Sequence, residues 1–306
     1  MSAFGLSTSW NAFRCRDAES LVSEIRSLGF PEIELSFNLT ARLVKGIEEQ
    51  VDSGQIKVTS VHNFCPIPPG IKRELALPDY YSLASKDEDR RKIAVRQTKV
   101  SIDTARRLGA RSVVLHCGRV EIMDVTRRLI KLRLVKGRQS PEFKALKARA
   151  IRERESVSGQ FFENTLRSLE QLEGYARRRQ VRLGIETRFY FREIPSFAET
   201  GCILKKFSGS AISYWHDTGH AQIMEELGFS RHKDYLDAYG DRLLGVHLHD
   251  ILGCQDHLAP LKGNLNFSLL KPYLKKDTIR IIEAHYPAKA RDLINARIFL
   301  ERTLNG

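Results

Sequence analysis

The stretch AISYWHDTGHA, residues 211–221, runs apolar through Trp215 and then turns to Asp217 and His220, with Gly219 between them. Read alone, it fits a helix start, in which Asp217 caps a helix beginning near Gly219 and His220 is incidental. The other reading makes Asp217 and His220 donors aimed at one point. Which holds depends on whether other strand-like runs in the chain end the same way. Eight short apolar or β-branched runs with polar termini are present: Phe4–Ser9, Glu32–Phe37, Lys57–Phe64, Ser112–Gly118, Arg182–Thr187, Ala211–Asp217, Leu243–Asp250 and Thr278–His285.

Helical periodicity fills the gaps between these runs. Ala18, Leu21, Val22, Ile25 and Leu28 form one apolar stripe before Gly29, and Ile93, Val100, Ala105 and Leu108 form another before Gly109. The clearest is Phe162-Leu166-Leu169-Leu172-Ala176, with Arg167, Glu170 and Arg177 on its other faces. Eight strands alternating with helices predict an α/β fold of parallel units, closed as a (β/α)8 TIM barrel. A doubly wound open sheet is the second expectation. No linker divides the chain, so residues 1–306 are expected to form one domain. Two long loops, 65–88 and 119–160, follow the third and fourth runs and are expected on the catalytic face.

From the third run onward, each strand end carries a metal-binding or proton-transferring side chain. These are His62, His116, Glu186, Asp217, His247 with His249, and Glu283 followed by His285. Each has a plain structural explanation, such as a hydrogen-bonded histidine, an ion pair of Glu186 with Arg188, or the Asp217 cap. A barrel, however, gathers all the termini at one rim, where so many carboxylates and imidazoles need a cation. Carboxylate and imidazole donors without thiolate point to a divalent ion, with Mn²⁺ first and Zn²⁺, Co²⁺ or Mg²⁺ as alternatives. The most economical ligand set is Glu186, Asp217, His247 and Glu283. Spacing alone does not choose between His247 and His249, which share one face of a strand.

The segments GIETR, HDTGHA, VHLHD, DHLAPLKGNLNF and IIEAH, in this order, resemble the xylose-isomerase-like TIM barrels along nearly the whole chain. That group includes sugar phosphate isomerases and epimerases and is related to the family-2 apurinic endonucleases. The resemblance implies metal ligands at Glu186, Asp217, His247 and Glu283, and it selects His247 because the family's ligand histidine stands three residues before an aspartate, here Asp250. It implies substrate contacts for His220, and it places His62 and His116 on the opposite side of the pocket. It further implies an enediolate mechanism in which Glu186 and Glu283 act as acid and base. Arg188, His249 and His257 complete the expected substrate-binding set.

The expected activity is therefore metal-dependent isomerisation or epimerisation of a small sugar-like polyhydroxy carbonyl compound, phosphorylated or acidic in one version. The sequence departs from several ketose epimerases by lacking an arginine shortly after the strand-seven histidine, where it reads Ile251-Leu252-Gly253-Cys254-Gln255. The alternatives are an apurinic endonuclease acting on abasic DNA and an inactive metal- or substrate-binding barrel. The endonuclease would need a third metal held by His220, His257 and an aspartate at position 255, where this chain has Gln255.

Charge bears on the same choice. The chain carries a formal net charge of +13, and residues 119–180 hold 16 Lys/Arg against 8 Asp/Glu. That excess suits either a solvated helical face or a surface for an anionic partner, nucleic acid included. No apolar run approaches the roughly 20 residues that span a bilayer. The start, Met1-Ser2-Ala3-Phe4-Gly5, lacks signal-peptide character, so a cytoplasmic location and no membrane partner are expected, with self-association left open. Five scattered cysteines without a CxxC are expected to be reduced and buried.

Overall fold

Eight parallel strands close on themselves in the computed structural model, which describes residues 3–305. Strand β1 (Gly5–Ser7) leads to α1 (Ala18–Ser27), and β2 (Glu32–Leu35) leads to α2 (Ala41–Asp52). Strand β3 (Lys57–His62) precedes α3 (Glu88–Arg107), and β4 (Ser112–Leu115) precedes two helices, α4 (Thr126–Lys136) and α5 (Pro141–Arg178). Then come β5 (Arg182–Glu186) with α6 (Phe197–Lys206), and β6 (Ile212–Asp217) with α7 (Thr218–Glu226) and α8 (His232–Tyr239). After β7 (Leu243–Leu248), an antiparallel hairpin of β8 (Asp250–Leu252) and β9 (Gln255–Leu258) interrupts the repeat. Strand β10 (Ile279–Ile282) and α9 (Ala290–Asn305) end the chain. The barrel order is β1-β10-β7-β6-β5-β4-β3-β2, with β2 returning to β1, which is the expected (β/α)8 fold.

Helices cover one face of these strands and the barrel fills the other, which explains why the runs read as nearly continuous apolar stretches. Inside the barrel, Val114, Trp215, Leu244, Ile279 and Ile281 pack as a small core of their own. Trp215 is the largest fully buried side chain, and neighbouring strands make room for it. A Cβ at Gly245 would stand 2.3 Å from the indole ring, so glycine is required there. The indole thus closes the barrel below the strand ends, and everything above it faces the rim.

Local sequence explains most helix starts. Asp17, Thr40, Asp87, Ser140 and Asp217 each accept a backbone N–H as N-caps, and Ser196 with Glu199 forms a reciprocal capping box. The stripe expected on α3 is rotated: Val100 is exposed, whereas Thr98 and Ser101 are buried. The cause is a polar contact, because Thr98 Oγ1 accepts from Asn63 Nδ2 at 3.1 Å and Ser101 Oγ donates to Asn63 Oδ1 at 2.8 Å. Those bonds fasten α3 to the chain just beyond β3.

The connection 119–160 differs from the expected loop. Apart from its first residues and a short turn it is helical, forming α4 and the first half of α5. Charge concealed an apolar face there: Leu129 and Phe143 pack with Phe189, Ile223, Met224, Leu227 and Ile251 in a second cluster. Three cations of this segment cap α7. Arg133 Nε donates to the Glu226 carbonyl at 3.0 Å, Arg138 to the Glu225 carbonyl at 3.2 Å, and Lys147 to that of Gly228 at 2.5 Å. Cations at a helix C-terminus offset its partial negative charge. The 65–88 connection is irregular except for a short turn at Arg73–Leu75. Four of the five cysteines are buried thiols and Cys202 is exposed. No helix among the described residues is long and apolar enough to cross a membrane.

Candidate metal centre and substrate pocket

Parallel strands deliver their C-terminal residues to one rim, and His247 of β7 stands at its centre. Its Nδ1 lies 2.8 Å from Glu186 Oε1, 2.9 Å from Glu283 Oε2 and 3.6 Å from Asp217 Oδ2. One donor atom from each of these four buried residues falls within 4.8 Å of the others. The opposite ring nitrogen, Nε2, is 3.0 Å from Glu34 Oε1, and Glu34 Oε2 accepts from Ser60 Oγ at 2.7 Å. A carboxylate behind an imidazole fixes its tautomer and raises its basicity, as in carboxylate–histidine–metal arrangements. Glu34 was missed in the sequence. Its only signal is an acidic residue in the otherwise apolar end of β2, and the strand ends were read only from the third onward.

Asp217 resolves the question posed by HDTGHA by dividing two roles between its oxygens. Oδ1 accepts the His220 backbone N–H at 2.7 Å, capping α7, and His249 Nε2 lies 2.9 Å away. Oδ2 is buried with no hydrogen-bond partner. A carboxylate lone pair left bare beside two more carboxylates and an imidazole is what a divalent ion would satisfy, so the donor set fits one. Burial opposes ionisation of Asp217, yet His220 and His249 hold its carboxyl well below the usual range. Burial likewise disfavours a charged His247, but Glu283 and Glu34 reverse this and hold it well above its ordinary value. One imidazolium does not neutralise Glu34, Asp217 and Glu283 together.

Glu186 and Glu283 are held differently. Glu186 Oε2 accepts from Arg188 Nη1 at 2.6 Å and lies 2.7 Å from His116 Nε2, while Oε1 faces His247. Glu283 touches this network through Oε2 alone. Arg188 departs from its expected role only in part, since it lines the cavity beside Glu186 while its Nη atoms are ion-paired. It is buried, and its second Nη donates to Glu193 Oε1 at 3.1 Å, so its charge is committed inside the protein.

His249 departs as well. Its Nε2 faces Asp217, and its Nδ1 accepts the His257 backbone N–H at 2.9 Å, because the chain turns into the hairpin directly behind β7. Burial opposes a charged ring and Asp217 favours one, pushing His249 up to about 9. The N–H pointing at Nδ1 nevertheless leaves no site for a second proton, so we assign the neutral Nε2–H form. Gly219 allows this arrangement, since a Cβ there would lie 2.1 Å from the His249 ring.

His62, His116, His220, His257 and His285 line one cavity of about 860 Å³ together with Glu186 and Glu283. His220 Nδ1 donates to the Thr187 carbonyl at 3.0 Å, which leaves Nε2 as an acceptor. His62 Nδ1 bonds the Asn63 carbonyl at 3.1 Å, and its Nε2 stands 3.7 Å from Glu186 Oε2. His257 stacks on His249 at 4.2 Å and on His285 at 3.9 Å. His285 is a strand-end donor outside the expected ligand and substrate-binding sets. It lines the cavity, and its Nε2 has no partner.

Behind the site runs a chain of neutral groups. Thr187 Oγ1, Tyr214 Oη, His216 and His232 follow one another, with Tyr214 Oη 2.7 Å from His216 Nδ1 and the two Nε2 atoms 2.9 Å apart. His232 Nδ1 ends the series 3.1 Å from Gln222 Oε1. Burial pushes His232 down to about 4 from 6.5, so between those values the folded protein binds fewer protons than the unfolded chain. This contribution is complete above pH 6.5 and declines as pH falls towards 4. The stability advantage of wild type over His232→Gln is therefore expected to shrink by about 2 kcal/mol between pH 7 and pH 5. Urea unfolding at both pH values measures it, and an unchanged gap would show that His232 is not held neutral.

The comparisons with known proteins agree with this geometry at the level of fold. The model of the xylose isomerase-like TIM barrel family matches residues 22–296. The uncharacterized protein y4fM of Sinorhizobium fredii is 28% identical over 181 residues, which are 59% of this chain and 48% of that protein. The match thus spans about half the length of that relative. Among solved structures, 3-keto-D-glucoside 4-epimerase YcjR from E. coli is 16% identical with a TM-score of 0.70, over 99% of this chain and 100% of that one. A D-tagatose 3-epimerase-like protein is 19% identical with a TM-score of 0.67, over 99% and 97% of the two chains. An L-ribulose 3-epimerase is 16% identical with a TM-score of 0.68, over 100% and 95%. At these identities the structures share the fold.

Proposed function

The chain belongs to the xylose isomerase-like TIM barrel family, and from that premise we propose that it is a divalent-metal-dependent isomerase or epimerase of a sugar-like polyhydroxy carbonyl compound. The observation that carries this reading is the four-donor cluster of Glu186, Asp217, His247 and Glu283, with Asp217 Oδ2 buried and unpartnered within it. Mn²⁺ is the ion best matched to three carboxylates and one imidazole, with Zn²⁺, Co²⁺ and Mg²⁺ as alternatives. When bound, such an ion supplies Lewis-acid polarisation of the substrate carbonyl.

The residues of the chain divide the remaining work. Glu283, with a single contact to the network, takes the proton from the carbon beside the carbonyl. Glu186, braced by Arg188 and His116, faces the centre from β5 and exchanges a proton from that side. His220 Nε2 accepts a substrate hydroxyl, and His62 and His116 form the facing wall. The names of the structural neighbours support a sugar substrate, since one is called D-tagatose 3-epimerase-like and the others are epimerases of a 3-keto-D-glucoside and of L-ribulose.

Two further donor groups favour the abasic-DNA reading: His62, His116 and Glu186, and His220, His249 and His257. Against it, both nitrogens of His249 are occupied, so this residue does not replace the aspartate missing at Gln255 in a third group.

Chelator-stripped protein titrated calorimetrically with Mn²⁺, Zn²⁺, Co²⁺ and Mg²⁺, then incubated with a ketose panel in D₂O, tests the proposal. One tightly bound ion and deuterium entering beside the carbonyl are expected. Three bound zinc ions with nicking of an abasic duplex would replace this reading with the endonuclease. Metal-loaded protein inert to both substrates would favour a binding barrel.

A further inference from the structure

We propose that the solvent-open face of α4 bordering the cavity is a subsite for an anionic group, a phosphate or carboxylate, carried on the substrate arm remote from the reacting carbon. This rests on the isomerase reading for the identity of the substrate, but the subsite itself is built from residues outside the metal centre. Arg127, Ile130, Lys131, Leu134 and Val135 all line the cavity that contains Glu186 and Glu283. Their spacing places them on one side of the helix, so α4 presents one continuous face to the cavity.

The cations of this wall differ from the others around it. Arg119 is paired with Asp79, Arg133 with Glu226, and Arg188 with Glu186 and Glu193. Among the described residues, no carboxylate forms an ion pair with Arg127, Lys131 or Arg192, which share the cavity lining. Arg127 is nevertheless fixed. Its Nη2 donates to Tyr190 Oη at 2.9 Å and its guanidinium stands 5.7 Å from the Tyr190 ring centroid, leaving its other N–H groups to a ligand. Arg192 gives Nη1 to the Ile122 carbonyl at 3.3 Å, while its Nε is buried without a partner. Asp124, on the same wall, accepts the Thr126 backbone N–H at Oδ1. Asp256, paired with His257, also lines the cavity near Arg127, so three cations face two carboxylates and the wall stays net positive above a negative floor.

That polarity suits a particular ligand shape. The floor takes the carbonyl and hydroxyl end, and the wall takes a negative charge that the carboxylate floor would repel. Planar guanidinium groups suit bidentate contact with phosphate or carboxylate, and Lys131 adds a flexible point charge. The cavity of about 860 Å³ lies near the top of the ~300–1,000 Å³ range of small-ligand pockets, leaving room for an arm. The wall also fixes orientation, because a ketose inserted backwards would place its anion against Glu186 and Glu283.

The test compares wild type with Arg127→Met/Lys131→Met, both metal-loaded, with circular dichroism and metal content as controls. Inorganic phosphate binding by calorimetry is expected in wild type and weakened at least tenfold in the double variant. In D₂O exchange, the kcat/KM ratio of a ketose phosphate or ketouronate to the neutral ketose is expected to fall at least tenfold. The phosphorylated and carboxylated arms of the panel distinguish the two anions. Phosphate binding equally well to both proteins, or a ratio unchanged by the substitutions, would overturn the subsite. Phosphate binding lost in the variant while no ketose exchanges at all would keep the subsite and overturn the isomerase reading. Neutral ketose exchange without phosphate binding would do the reverse.

Discussion

Glu283→Gln is expected to slow hydrogen exchange at the reacting carbon of the substrate by about 10²–10⁴-fold, the usual contribution of a positioned general base. An amide keeps the size of the carboxylate and an oxygen to face His247 Nδ1, where Glu283 Oε2 now lies at 2.9 Å, but it does not accept a proton near neutral pH. The residue is 4% exposed at the end of β10, so its replacement disturbs neither a helix nor the Trp215 core below. Because the same oxygen belongs to the proposed ligand set, metal content is measured beside deuterium incorporation. Full metal occupancy with exchange lost assigns proton transfer to Glu283. Exchange at the wild-type rate would remove it from that role. Glu186→Gln provides the contrast: with Arg188 and His116 on one oxygen and His247 on the other, its loss is expected to reduce metal binding as well as exchange.

The largest loss of stability is expected at Asp250, a residue without a place in the chemistry. Its Oδ1 accepts the backbone N–H of Ile251 at 2.9 Å and of Leu265 at 2.9 Å. Its Oδ2 accepts those of Leu261 at 3.0 Å and Gly263 at 2.9 Å. One buried carboxylate thus holds together the whole excursion between β7 and the approach to β10, including the hairpin that carries His257. Asp250→Ala leaves four N–H groups without their acceptor and is expected to cost about 3–5 kcal/mol. Urea unfolding measures the total. Hydrogen exchange, rising first in residues 251–265, would place the damage. A variant within about 1 kcal/mol of wild type would mean that water or the loop itself replaces the carboxylate.

Asp250 also shows how far the sequence could be read. It served there only as a landmark three residues beyond His247, and nothing local announced four backbone partners as distant as Leu265. The eight strands were legible because burial on both faces imposes continuous apolar runs, and the helices between them because their faces repeat. The gathering of Glu186, Asp217, His247 and Glu283 followed from barrel closure, since each ends a strand. Glu34 was not legible, because its partner His247 stands 213 residues away in the chain. The helical character of 119–160 was hidden by its charge, as its apolar residues pack on α7 and on the segment after β5, which no sequence window contains.

Arg188 and His249 mark the boundary most sharply. Both are polar residues at strand ends, and sequence places them correctly at the rim. It does not tell which groups each of them meets there. That is decided by directional contacts: Arg188 meets two carboxylates, and His249 lies between Asp217 and a backbone N–H. Sequence alone determined the number of barrel strands, their parallel closure and the residue types delivered to the rim, because continuous apolar runs alternate with helical faces of period 3.6 along the chain. Tertiary structure alone decided which oxygen of Asp217 caps α7 and which is left bare, which nitrogen of His247 meets Glu34, and which cations of the basic segment stay unpaired. Hydrogen bonds and ion pairs act over a few ångströms and in fixed directions, so their partners are chosen by the folded backbone rather than by spacing in the chain.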